Sequence, residues 1–171
     1  MRKPDRPDNR IKALFSDVDG VWTDGGMYFS QVGQAMKRFD VKDGYIVQFA
    51  QRAGIQIVWV TGDDSAITRA RARKLGIECV CPGVEGKREC VRALLESKGL
   101  EPGEVVFMGD DLSDLMGMEA VGIKACPADA VPAVLEAADW VTERTGGHGA
   151  VRELLDQIMA WNAELEQEGG E

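Results

Sequence analysis

Two aspartates one residue apart close the first apolar run of the chain, where Ile11-Lys12-Ala13-Leu14-Phe15-Ser16 leads into Asp17-Val18-Asp19-Gly20. Side chains alternate along a strand, so Asp17 and Asp19 project to one side and can share one cation or one substrate. Two anions held this close are costly alone, and a bound metal or a phosphate-binding cation is the usual remedy. By itself the pair reads equally well as caps of a turn before Gly20. Further along, Thr61-Gly62 follows Ile55-Gln56-Ile57-Val58-Trp59-Val60, Lys87 opens a helical stretch after a shorter apolar run, and Gly109-Asp110-Asp111-Leu112-Ser113-Asp114 follows Val105-Val106-Phe107-Met108. Singly these are weak: Thr61 reads as a helix cap, Lys87 as a solvated helix residue, Asp110 and Asp111 as a turn. Asp, Thr, Lys and Asp at four successive strand ends make coincidence a poor explanation.

The elements that would position these groups follow from periodicity. Residues 27–30 and 34–39 flank Gln31-Val32-Gly33 and resemble a short β-hairpin. Residues 43–53 read as a helix, with Tyr45, Ile46, Phe49 and Ala50 on one side and Gly54 closing it. Strands are expected at 55–60, 78–81 and 105–108, and helices at 65–75, 86–98, 112–119 and 150–161. Edge strands are expected at 122–126 and 140–141. Strands alternating with helices predict an α/β chain whose parallel sheet is covered on both faces. In such sheets ligands bind outside the carboxyl ends of the strands, where the polar residues fall.

With 171 residues and 44% hydrophobic content, the chain is sized for one well-buried domain. That domain is expected over 11–161, between a polar extension at 1–10 and a flexible acidic tail at 162–171. A net charge of −9 argues against a polyanion-binding surface and hence against nucleic acid as a partner. Four cysteines without C-x-x-C spacing and a single histidine argue against structural zinc. Thiols inside apolar runs suggest a reducing, cytoplasmic setting. Residues 1–9 lack the apolar core of a signal peptide, and no window approaches bilayer length, so no membrane partner is expected.

The strand-end residues Asp17-Val18-Asp19-Gly20, Thr61-Gly62, Lys87 and Gly109-Asp110-Asp111-Leu112-Ser113-Asp114 resemble the four motifs of the haloacid dehalogenase superfamily. The resemblance implies a Rossmann-like fold and Mg²⁺-dependent phosphoryl transfer through an aspartyl-phosphate. In that reading Asp17 is nucleophile and metal ligand. Asp19 is general acid and base, and ligates the metal through its backbone carbonyl. Thr61 and Lys87 stabilise the phosphoryl oxygens, and Asp110 is a further metal ligand. Asp114 orients Lys87 or a metal-bound water, and the role of Asp111 stays open. The residue chemistry agrees, since a carboxylate can split one hard displacement into two easier ones and Mg²⁺ prefers oxygen ligands.

The 63–86 interval is filled by a helix, a strand and a loop, and the first interval holds only the hairpin, so no cap domain is expected. Within the superfamily, Asp19-Gly20-Val21-Trp22-Thr23-Asp24-Gly25, Val41-Lys42-Asp43-Gly44 and Gly146-Gly147-His148-Gly149-Ala150-Val151-Arg152-Glu153 resemble small phosphatases acting on phosphorylated 2-keto-3-deoxy sugar acids. This resemblance implies homotetramers in which a neighbour's hairpin and carboxyl-terminal segment help complete each site. It places Lys42, Asp43, Gly44, Gly62 and Arg152 near substrate. Phosphatases of 3-deoxy-D-manno-octulosonate 8-phosphate usually carry Thr-Gly-Arg at the second motif, where this chain has Thr61-Gly62-Asp63. An acidic residue there, with Arg71 and Lys74 further along the helix, is more similar to phosphatases of 2-keto-3-deoxynononate 9-phosphate, toward which the sequence leans. For Asp63 the plain alternative is an anion favoured at a helix N-terminus. Trp22 is either hairpin packing or a substrate wall, and His148 reads as a loop residue. Outside this class stand a phosphorylation-dependent receiver, which does not need Gly-Asp-Asp-x-x-Asp, and a catalytically silent oligomerisation module, against which the intact motif residues speak.

Overall fold

A computed structural model describes residues 3–77, 79–81 and 86–168. The expected strand start at Glu78 and the tail residues 169–171 lie outside the described residues. The first half of the chain forms β1 (Ala13–Ser16), β2 (Tyr28–Ser30), β3 (Gly33–Met36), α1 (Val41–Arg52), β4 (Gln56–Val60) and α2 (Ala66–Leu75). Then come β5 (Cys79–Cys81), α3 (Lys87–Lys98), β6 (Val105–Met108), α4 (Leu115–Met118), β7 (Ile123–Cys126), α5 (Pro132–Ala137), β8 (Trp140–Val141) and α6 (Ala150–Glu168).

Six parallel strands form one sheet in the order β5-β4-β1-β6-β7-β8, and β2 and β3 pair antiparallel as a separate hairpin. The chain leaves β1 toward β4 and β5, then returns to build β6, β7 and β8 on the other side. The direction reverses at β1, which makes its carboxyl end the switch point of the sheet. No domain is inserted between the described elements. One sequence expectation is corrected: residues 122–126 do not form an edge strand. β7 is interior because β8 pairs with it through Ala125↔Trp140 and Cys126↔Val141, and the edges are β5 and β8.

The central strands bury both faces, and their period of two sorts the core into two layers. Leu14, Ile57, Trp59, Val106 and Met108 pack with α1, α2 and α6, while Ala13, Phe15, Val58, Val60 and Phe107 pack with α3, α4 and α5. All four tryptophans lie in the first layer, with Trp22 against Trp59 at 5.3 Å and Trp140 against Trp161 at 4.9 Å between ring centroids. The Trp22 indole N–H donates to Ser16 Oγ at 2.7 Å, so Trp22 is a packing residue and not a substrate wall. Each such buried side chain is worth about 1.5–3 kcal/mol.

Helix α6 does not stop at Trp161 but continues through Glu168. Asn162 is buried and clasps the backbone of Ile11, accepting its N–H at 2.9 Å and donating to its carbonyl at 2.8 Å. Beyond it Arg6 pairs with Glu164 and Glu168, and Arg10 with Glu166. Exposed pairs of this kind contribute little individually. The buried Asn162 clasp and Trp161 supply the anchor, and the described parts of the two terminal segments run side by side on the domain. No helix of the described residues is long and apolar enough to cross a membrane. Elsewhere, Gly146 and Gly147 bring the loop before α6 against the loop after β1, where a Cβ on Gly146 would collide with the Gly20 carbonyl.

Candidate active site

Asp17 extends β1 by one residue, its N–H donating to the Met108 carbonyl of β6 at 3.0 Å. That pairing places its carboxylate at the switch point. Lys87 opens α3 behind a left-handed Gly86 and brings Nζ to 3.0 Å from Asp17 Oδ1 and 2.5 Å from Asp114 Oδ1. Asp114 is fully buried, and its other oxygen accepts the N–H groups of Asp110 at 2.9 Å and Asp111 at 3.1 Å. These bonds tighten the start of the helix expected at 112–119. It divides into a 3₁₀ turn, Leu112–Asp114, and the short α4. Asp111 is exposed and caps that turn through Leu112 N–H at 2.7 Å.

Asp17, Asp110 and Asp114 each offer an oxygen to a common point, these atoms lying within 4.8 Å of one another. Burial, then the neighbouring Asp114, pushes the Asp17 carboxyl up to about 6 against the pull of Lys87. Burial together with Asp114, Asp17 and Asp111 pushes Asp110 up to about 8. Burial works to lower Lys87, but Asp17 and Asp114 outweigh it and hold its ammonium above the usual range. One lysine among three acids leaves a deficit of positive charge. It falls at Asp110, whose Oδ1 is buried without a hydrogen-bond partner. Gly20 brings its backbone so close that a Cβ would collide with the Asp110 carboxylate. An orphaned carboxylate oxygen in an all-oxygen cradle fits a hard divalent cation. Asp114 spends both oxygens on Lys87 and the loop, so it positions the site, while Asp17 and Asp110 keep ligand capacity.

Thr61 follows β4 beside β1, is buried, and accepts the Asp63 N–H at 3.0 Å, which leaves its own O–H free to donate. Ser65, and not Thr61, caps α2. Asp19 stands partly exposed, with Oδ2 at 2.6 Å from Lys37 Nζ. Lys37 is the residue that the sequence reading misses. It leaves the hairpin just after β3, and its one signal is the basic pair Lys37-Arg38 near the end of the return strand.

Several other residues expected near substrate are engaged within the protein. Asp43 is 1% exposed and accepts the N–H groups of Gly149 at 3.1 Å and Arg152 at 2.8 Å, so it caps the start of α6. Burial raises its carboxyl above the usual range, and those two N–H groups oppose the shift. Gly44 is a packing residue, since a Cβ there would strike the Arg71 guanidinium. Arg71 itself lies over the Phe39 ring at 5.3 Å and donates to the Asp40 carbonyl at 3.3 Å, which ties α2 to α1. Arg152 pairs with Asp156 at 2.6 Å, one turn along α6. Asp63 accepts from Lys37, Ser65 and Thr68, and these bonds outweigh burial and hold its carboxyl down to about 2. Lys42, Lys74 and Gly62 are exposed, and Gly62 has open space where a Cβ would stand.

Comparison with known proteins matches this arrangement. The family model of haloacid dehalogenase-like hydrolases covers residues 40–122. Over 161 residues the chain is 37% identical to 3-deoxy-D-manno-octulosonate 8-phosphate phosphatase of Escherichia coli, spanning 94% of this chain and 86% of that protein. The cobalt-bound structure of the corresponding phosphatase from Haemophilus influenzae superposes with a TM-score of 0.88 at 35% identity, over 91% of each chain. The Moraxella catarrhalis phosphatase, solved with magnesium ion, phosphate ion and a KDO molecule, gives 0.87 at 30% identity over 95% of this chain and 94% of that one. Identity sustained over nearly the whole chain, on a fold that gathers the motif carboxylates at one strand end, shows that the protein belongs to the haloacid dehalogenase-like hydrolases.

Proposed function

We propose that the protein is a phosphatase of a 2-keto-3-deoxy sugar acid phosphate, with 3-deoxy-D-manno-octulosonate 8-phosphate as substrate. The observation that carries the reaction is buried Lys87 bridging Asp17 and Asp114 beside the unpartnered Asp110 oxygen. In the first step an Asp17 oxygen attacks phosphorus, the ester P–O bond breaks, and the Asp19 carboxyl gives its proton to the leaving sugar oxygen. In the second, Asp19 takes a proton from water, whose oxygen attacks the acyl phosphate and releases inorganic phosphate and the Asp17 carboxylate. Lys87 and the Thr61 hydroxyl hold the phosphoryl oxygens, and Asp114 fixes Lys87. Mg²⁺ would be held by Asp17, Asp110 and the Asp19 carbonyl, and when bound it supplies positive charge against the phosphoryl oxygens.

The eight-carbon ester replaces the nine-carbon one toward which the second motif leans. The relatives described above are named for octulosonate 8-phosphate. The basis for the nononate lean also weakens, because Asp63 spends its carboxylate on Lys37, Ser65 and Thr68, and Arg71 is turned to Phe39 and Asp40. The same reading includes a homotetramer in which neighbours complete the open site. The hairpin supports it by presenting Phe29 at 70%, Val32 at 97% and Met36 at 60% exposure. A cytoplasmic location is supported by the burial of Cys126 among apolar side chains, and the net charge of −9 supports a small-molecule partner over nucleic acid. The test is phosphate release from both sugar acid phosphates with and without Mg²⁺. A kcat/KM preference of more than about tenfold, about 1.4 kcal/mol, for the nononate overturns the substrate, and no Mg²⁺-dependent release from either overturns the reaction.

A further inference from the structure

Lys37 has every donor occupied. Its side chain is 0% exposed, and Nζ lies 2.6 Å from Asp19 Oδ2, 2.7 Å from Asp63 Oδ2 and 3.3 Å from Thr68 Oγ1. An ammonium carries three N–H groups and no acceptor, so these contacts use it up and leave none for substrate. The far side of the bridge is firmly held. Asp63 Oδ2 also accepts from Ser65 Oγ at 2.6 Å and Thr68 Oγ1 at 2.5 Å, and the Asp63 N–H donates to Thr61 Oγ1 at 3.0 Å. The near side is one oxygen of Asp19. Its other oxygen has only a long bond from the Thr23 hydroxyl, at 3.4 Å, and is thus the one available for proton exchange.

A carboxylate turns readily about its last torsion, and a charge-assisted bond to one oxygen fixes the direction of the other. We infer that Lys37 is a positioning residue: anchored on Asp63 and Thr68, it holds the Asp19 carboxyl in the orientation from which that group serves the leaving oxygen. This rests on the reading of Asp19 as acid and base. It gives the acidic residue of the second motif a task other than choosing the sugar, and it makes the setting of Asp19 depend on where the hairpin sits, because Lys37 is the hairpin's last step back into the domain.

Two esters separate the possibilities. The sugar phosphate has a basic alkoxide leaving group that needs a proton, whereas p-nitrophenyl phosphate does not, and general acid catalysis is worth about 10²–10⁴ in rate. Asp19→Asn is expected to lower kcat/KM, which reads only the first step and not the acyl-phosphate hydrolysis common to both esters, on the sugar ester at least about 100-fold more than on the aryl ester. Lys37→Met is expected to show the same selectivity at about 10-fold or more. Asp63→Asn, whose carboxyl does not touch Asp19, is expected to show it at about fivefold, in the same direction. Equal losses of kcat/KM on both esters in Lys37→Met overturn the inference when Asp19→Asn is selective. Should Lys37→Met fail to fold, the ratio in Asp63→Asn decides in the same way. An unselective Asp19→Asn overturns the acid and base reading, and this inference with it.

Discussion

Asp43 and Asp110 are both acids drawn into the protein, and both stand among the residues that the sequence marks for ligand binding. Asp43 meets the N–H groups that open α6, so its burial is compensated and its work is structural. Asp110 meets Asp17, Asp114 and the bare backbone of Gly20, and one of its oxygens has no partner. The difference lies in what remains unsatisfied. A buried acid whose acceptors are filled has finished its chemistry, whereas one left short is held ready for something that is not protein.

That contrast breaks most sharply at the nucleophile. Asp17→Asn is expected to lower phosphate release by about 10⁵-fold while circular dichroism stays native, and retained turnover would exclude a covalent intermediate on this residue. Asp110→Asn should lower Mg²⁺-dependent turnover by about 10³-fold yet raise the melting temperature of the metal-free protein by about 3 °C, since a crowded like charge is removed. Asp43→Ala should do the reverse, with a stability loss of about 2 kcal/mol in urea unfolding and KM on the sugar ester unchanged. A tenfold rise in KM there would return Asp43 to the substrate. Chelation of Mg²⁺ should lower the melting temperature of the wild type by about 5 °C, and that shift should vanish in Asp110→Asn but persist in Asp43→Ala.

The smallest effect is at Asp63. Its carboxyl is held down to about 2, so its contribution is fully present above the ordinary carboxylate range and is lost as pH falls from about 4 to about 2. With solvent screening the loss is below about 1 kcal/mol. The gap in unfolding free energy between wild type and Asp63→Asn should narrow over that window, and a constant gap would mean that the bridge to Lys37 does not hold in solution.

The motif residues were legible because each follows a short apolar run, and burying both faces of such runs leaves little choice of fold. Val105–Met108 is read to the residue, and Asp17, Lys87 and Asp110 fall where the strand ends predict. What was not legible depends on partners distant in sequence. Asp43 caps a helix that begins at Ala150, and no local pattern joins the two. Lys37 meets Asp19 and Asp63 only after the hairpin folds back, and its spacing in the chain has no period. The end of α6 was misplaced for a related reason. An acidic stretch reads as a solvated tail until Arg6 and Arg10 are laid beside it and Asn162 finds the backbone of Ile11.

The backbone contact of Gly146 with Gly20 has a consequence for how damage to this enzyme would be read. Neither glycine carries a functional group, yet a methyl group added at residue 146 would press on the Gly20 carbonyl, the next peptide after Asp19, and so on the seat of Asp110. In a survey of random variants, Gly146→Ala would therefore score with the catalytic losses, although every reacting group is intact. Such a position is recovered by giving the loop room, through a compensating change among its neighbours, and never by restoring chemistry. Inactivating substitutions in this protein thus fall into two kinds, one removing a group that reacts and the other moving the floor beneath it, and second-site suppression is the way to tell them apart.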